Sequence, residues 1–210
     1  MFSFIKKDFY IIKANLKTFL VVFLIYGFMC VAGEEFDMTF LLPFLSVMIF
    51  ISTFSYDELN SWNAYAVTLP DGRRNVVRGK YLASLLFILL TSILAVIFSS
   101  GISIYKGSFF LEDIFLSLII SVTAMIIVLS IMYPIVFKFG IEKGKILVLA
   151  FIFCGVFLIG GISKIISPDI MKSITTFLDN YYYFVLPLFM IGSIGISYLV
   201  STKIYLKKEF

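Results

Sequence analysis

Ser55-Tyr56-Asp57-Glu58-Leu59-Asn60-Ser61-Trp62-Asn63-Ala64-Tyr65-Ala66-Val67-Thr68-Leu69-Pro70-Asp71-Gly72-Arg73-Arg74, running on through Arg78 to Lys80-Tyr81, is the longest polar interruption in the chain. It holds the only Trp and all three Arg residues. Around it, the 210 residues are 61% hydrophobic and 14% charged, with a mean hydropathy of +1.06. Soluble domains carry about one-quarter charged residues, and no soluble fold of this size hides so much apolar surface. The expectation is an all-α integral membrane protein, with residues 1–210 forming one helical bundle and no separate soluble domain. Such a chain acts on the aqueous phase only through what it leaves outside the lipid, and this interruption is the largest such piece.

Outward from the interruption, flanking charges delimit six uncharged windows at 18–33, 38–56, 81–105, 114–137, 146–163 and 180–202. Five fit the roughly 17–25 residues of a spanning helix. The first is one residue short, but Lys13 and Lys17 can snorkel and lengthen it. Six transmembrane helices are therefore expected. Pro43 and Pro134 do not alter the count, because neighbouring helices can satisfy the backbone groups they free.

Loop charge orients the bundle. With the N-terminus inside, 14 of the 17 Lys and Arg residues fall on the inner side. Only Lys106, Lys164 and Lys172 lie outside, beside seven acids. Both termini are expected in the cytoplasm, and the net charge of +4 reads as a topology signal, with no implication of nucleic-acid binding.

Phe2, Ile5, Phe9 and Ile12 recur with helical spacing among Lys6, Lys7 and Lys13, so residues 2–15 are expected as an interfacial amphipathic helix before the first span. No cleaved signal peptide is expected at the start. Ser167-Pro168-Asp169 signals a helix restart between spans five and six. Ile170, Met171, Ile174 and Phe177 then share one face, which predicts a short outer helix, either resting on lipid or forming a lid over a translocation path.

Several chemistries lack their residues. The chain has no His, which removes His-based catalysis and His metal ligation. No charge interrupts a window, against the habit of ion-coupled transporters and intramembrane metalloproteases. Gly140-Ile141-Glu142-Lys143-Gly144-Lys145 fails as a Walker A motif, because the spacing is one short and Ile146 replaces Ser or Thr. No catalytic residue, metal site or cofactor is assigned to this chain. The intramembrane Ser and Thr residues are expected to serve helix packing.

Within the interruption, Leu59, Trp62, Tyr65, Ala66 and Leu69 step by three and four, so residues 57–67 are expected as an amphipathic helix capped by Asp57. Thr68-Leu69-Pro70-Asp71-Gly72 reads as a turn, and 73–80 as a helical piece feeding the third span. The arrangement Asp57-Glu58…Trp62…Tyr65…Thr68-Leu69-Pro70…Arg73/Arg74…Val77…Lys80-Tyr81-Leu82 resembles the loop between spans two and three of ABC-2 type permeases. Among them it looks most like the small permeases beside phenol-soluble-modulin and bacteriocin-type peptide exporters. Asp71-Gly72 departs from the pattern, where a small apolar residue and Ser are expected, and predicts a looser turn.

The resemblance implies that the short helix is a coupling helix docking on a separate ABC ATP-binding subunit, which would hold ATP and Mg. Trp62, Tyr65, Leu69 and Pro70 would form the contact, Arg73 and Arg74 would meet acids on that subunit, and Asp57 and Glu58 would cap and orient the helix. Two permease copies, as homo- or heterodimer, would export an apolar or amphipathic cargo such as a peptide. The competing reading is a non-transporting immunity or sensor protein that binds an antimicrobial peptide at the outer helix.

Overall fold

The computed structural model describes residues 2–32, 38–107, 111–151, 153 and 168–208. Every regular element among them is helical: α1 Phe2–Ala32, α2 Met38–Leu59, α3 Trp62–Val67, α4 Gly72–Lys106, α5 Leu111–Phe139, α6 at 141–151 and α7 Pro168–Lys207. Five helices among the described residues are long and apolar enough to cross a membrane: α1, α2, α4, α5 and the 184–207 part of α7. The expected fifth window, 146–163, coincides with α6 only as far as residue 151; the rest of it lies outside the described residues.

The core sits between α2, α4, α5 and α7, with Val77, Met132, Tyr133 and Tyr205 almost fully enclosed. Tyr133 is ringed by edge-on aromatic neighbours, Tyr81 at 4.6 Å and Phe54 at 5.3 Å. Such pairs add about 0.5–1.5 kcal/mol beyond their burial. A second cluster of Ile12, Ile49, Phe50, Ala83 and Phe87 fastens α1 to α2 and α4.

That second cluster corrects the expected N-terminal interfacial helix. Residues 2–15 continue unbroken into the first span, and no Gly or Pro interrupts the join. The Asn15 side chain donates back to the Ile11 carbonyl at 3.0 Å, inside the helical turn. The apolar face is real, but it is not laid flat on a membrane surface: Ile12, with Ile5 and Phe9 beside it, packs it against the bundle. The outer helix is likewise not a separate element. Pro168 opens one 40-residue helix that runs into the last span. Ile170, Met171, Ile174 and Phe177 lie on its early turns, and their side chains lie outside the described residues.

Proline inside a helix removes one donor and frees the carbonyl four residues earlier. Both internal prolines with described surroundings have that carbonyl answered from another helix. Pro43 in α2 frees Thr39, whose carbonyl accepts the Ser121 hydroxyl of α5 at 2.8 Å. Pro134 in α5 frees Ser130, whose carbonyl accepts the Ser197 hydroxyl of α7 at 2.6 Å. A hydroxyl pair, Ser46 to Thr91 at 2.6 Å, joins α2 to α4. Ser121 thereby takes the packing role expected of it, while Ser92 and Thr123 bond to carbonyls of their own helices.

Candidate functional site

The polar interruption folds as two tight reversals around a six-residue helix. α2 runs to Leu59, three residues beyond its uncharged window, and Asn60-Ser61 turn the chain with Ser61 left-handed at φ 50°. α3 follows, and Leu69 N–H donates to Ala66 O at 3.3 Å while Gly72 N–H donates to Leu69 O at 2.9 Å. Asp71 is also left-handed, at φ 52°. A Cβ on Gly72 would stand 1.8 Å from the Ala66 carbonyl oxygen, so only glycine lets α4 start this close to α3. The looser turn expected at Asp71-Gly72 is therefore corrected: the turn is closed, and Gly72 is what closes it.

The expected cap is corrected as well. Asp57 belongs to the last turn of α2 and is only 3% exposed. There it joins Lys7 and Asp8 of α1 and Lys80 of α4 in a buried cluster of two cations and two anions. Lys80 Nζ lies 2.9 Å from Asp8 Oδ1 and 2.8 Å from Asp57 Oδ2, and donates to Thr53 Oγ1 at 3.0 Å. The Asp57 Oδ2 contact is an ion pair without an aligned hydrogen bond. Lys7 hydrogen-bonds Asp57 Oδ1 and lies 3.3 Å from Asp8. Its ammonium sits 4.7 Å from the Trp62 ring centroid, and Phe4 meets Trp62 edge-on at 6.1 Å. The cluster thus fixes α1, α2 and α4 to one another directly behind α3. Its charges cancel, and that is the condition under which burying them is tolerable.

Glu58 points the other way. Its Oε2 accepts the Ile141 backbone N–H at 2.7 Å, so this carboxylate caps the first turn of α6, where the helix dipole favours negative charge. Gly140, at φ 80°, makes the reversal from α5 that presents this N–H. The end of α7 closes the remaining side. Tyr205 donates its hydroxyl to Asn63 Oδ1 of α3 at 3.0 Å, and Arg73 donates to the Leu206 carbonyl. Lys208 reaches the Phe137 carbonyl at 2.8 Å. Burial pushes the Lys208 ammonium below its ordinary pKa, and the Glu58 carboxylate partly offsets the shift. A cavity of about 260 Å³ remains between these groups, with Asp57, Glu58, Lys80 and Tyr205 on its walls.

The residues singled out from sequence therefore divide. Asp57 and Arg73 are committed to contacts within the chain, Glu58 caps α6, and Trp62 is half-buried against Phe4 and Lys7. Tyr65 is 57% exposed, and Pro70 and Arg74 are exposed with it; Leu69 is half-buried. Lys7, Asp8 and Lys80 were given no site role from sequence. One signal was there to read: Asp8 is the only acid before Glu34, in a segment with four lysines. No group of metal-ligating side chains forms among the described residues.

The arrangement offers a rigid, outward-facing knuckle at one end of a membrane bundle and no catalytic constellation among the described residues. A family model described as ABC-2 family transporter protein matches residues 3–206. Neither curated proteins nor solved structures gave a match. With nearly its whole length inside that family's pattern, the chain belongs to the ABC-2 transporter family, as a multi-pass transmembrane subunit that is not itself catalytic.

Proposed function

We propose that this subunit exports an apolar or amphipathic cargo such as a peptide, and that a separate ATP-binding subunit drives it by pushing on α3. Two permease copies and two ATPases make one transporter, with ATP and Mg held by the ATPases and both permease termini in the cytoplasm. The early turns of α7, with Ile170, Met171, Ile174 and Phe177, serve as an outer lid. The likeness of the 57–82 segment to the permeases of phenol-soluble-modulin and bacteriocin-type exporters supports a peptide cargo.

One observation carries the reading: the α2–α4 turn is locked on its inner side and exposed on its outer side. Asp57, Arg73 and Asn63 tie it to α1, α4 and α7, while Tyr65, Pro70 and Arg74 face out. A force applied to Tyr65 is therefore delivered to α1, α4 and α7 together, with little give at the turn. The surface left for the partner is Tyr65, Pro70 and Arg74; Arg73 contributes by holding α7.

The test is co-expression with candidate ABC ATP-binding subunits from the same genome, followed by co-purification and measurement of ATP hydrolysis. The subunit is expected to bring the ATPase down and stimulate it, and Tyr65→Ala with Arg74→Glu is expected to abolish both while the chain still inserts. Unchanged stimulation in that variant overturns the docking surface. Failure of any P-loop subunit to co-purify overturns the transporter reading in favour of an immunity or sensor protein.

A further inference from the structure

α1 and α4 enclose a groove of about 390 Å³ that the coupling site does not use. Lys6, Tyr10 and Lys13 stand along its edge on α1, all exposed. Its floor is apolar, built from Phe9 and Leu16 of α1 with Phe87 and Leu90 of α4. Lys6 and Lys13 are two helical turns apart on one face, and Lys17 continues that face by one more turn. Lys6 leans over the Tyr10 ring at 5.8 Å.

Charge decides the occupant. Neither Lys6 nor Lys13 reaches a carboxylate among the described residues. The nearest acid in sequence, Asp8, is 2% exposed and already held by Lys80 and Lys7. The edge of the groove is therefore positive, with no counter-ion among the described residues. Depth supplies the second argument. Phe87 and Leu90 lie seven and ten residues beyond Lys80, about 10–15 Å further along α4. The floor thus runs from the charged end of the bundle into the apolar span. A ligand matching both features has an anionic head and a hydrocarbon tail.

We infer that this groove binds one anionic glycerophospholipid from the leaflet beside the N-terminus, with its phosphate between Lys6 and Lys13 and an acyl chain on Phe9, Leu16, Phe87 and Leu90. A zwitterionic lipid fills the floor as well but leaves the lysines without a net negative partner. A soluble phosphate satisfies the lysines and wastes the floor. Basic pockets between membrane helices recognise lipid headgroups by this combination. The site adds to the coupling reading and does not depend on it.

The full-length subunit, purified in detergent, is titrated with phosphatidylglycerol, and bound lipid is counted by native mass spectrometry. One tight adduct is expected, absent with phosphatidylcholine. Lys6→Gln with Lys13→Gln is expected to weaken it roughly 25-fold, the factor for losing two lysines at an anionic headgroup. Lys203→Gln with Lys207→Gln, which removes equal charge from the end of α7, is expected to leave it within about twofold of the unchanged chain. Leu90→Trp, which fills the floor, is expected to remove the adduct without touching a charge. Equal losses in the two lysine pairs mean diffuse surface attraction and overturn the site. So do retention of the adduct in Lys6→Gln/Lys13→Gln and displacement of the lipid by inorganic phosphate.

Discussion

At two depths along its length α4 buries polar groups by different rules. At its start, Lys80 is enclosed as a full charge with Asp8, Asp57 and Lys7 around it. Eleven residues on, about 16 Å deeper, Thr91 is enclosed as a hydroxyl, bonded to Ser46 and to its own helix. Near the membrane boundary a balanced set of charges is tolerable. At depth a charge is costly, and hydroxyls filling freed carbonyls do the joining instead. The charged end therefore has most to lose when one member is removed, and the deep end loses little per contact.

Four substitutions probe that contrast, in order of expected effect on stability. Lys80→Met leaves Asp8 and Asp57 short of their cation and is expected to cost about 3–5 kcal/mol, read as thermal unfolding in detergent. A cost below 1 kcal/mol would mean the cluster is wet and its charges already shared with solvent. Gly72→Ala places a methyl against the Ala66 carbonyl and is expected to cost about 1–3 kcal/mol, together with a loss of partner stimulation because the turn opens. Ser121→Ala strips the Thr39 carbonyl of its donor and is expected to cost about 0.6–1.7 kcal/mol. A loss as large as that of Lys80→Met would erase the distinction between the two depths. Tyr65→Ala, on the exposed face, is expected to stay within about 0.5 kcal/mol in unfolding while ATPase co-purification falls. An equal fall for Tyr65→Phe would show that the hydroxyl, and not the ring, makes the contact.

Five of the six expected windows fall on helices long and apolar enough to cross a membrane, because uncharged stretches report directly on lipid. Their ends were not legible in this way, and Asp57 shows why. A charge at a window's edge reads as the exit into water, yet here it is carried on for a further turn of α2 by partners from two other segments. Each of Lys7, Asp8, Asp57 and Lys80 looks like an ordinary interfacial charge within its own stretch, and only packing brings them together. The N-terminal face shows a second limit. Spacing of Ile5, Phe9 and Ile12 identifies an apolar stripe, but lipid and protein are equally good partners for it, and periodicity does not choose between them. The location of the polar interruption was readable from composition. The division of labour within it was not, because exposure separates Arg74 from Arg73, and adjacent residues of one type look alike in sequence.

Trp62 gives the subunit a built-in optical probe. It is the only indole in the chain, and it stands where α1, α2 and α3 meet, with Phe4 against its edge and the Lys7 ammonium near its face. Its emission wavelength is set by that one junction. Any event that shifts α3 against α1 changes the polarity around a single fluorophore, so motion at the joint can be followed in the unlabelled protein in real time.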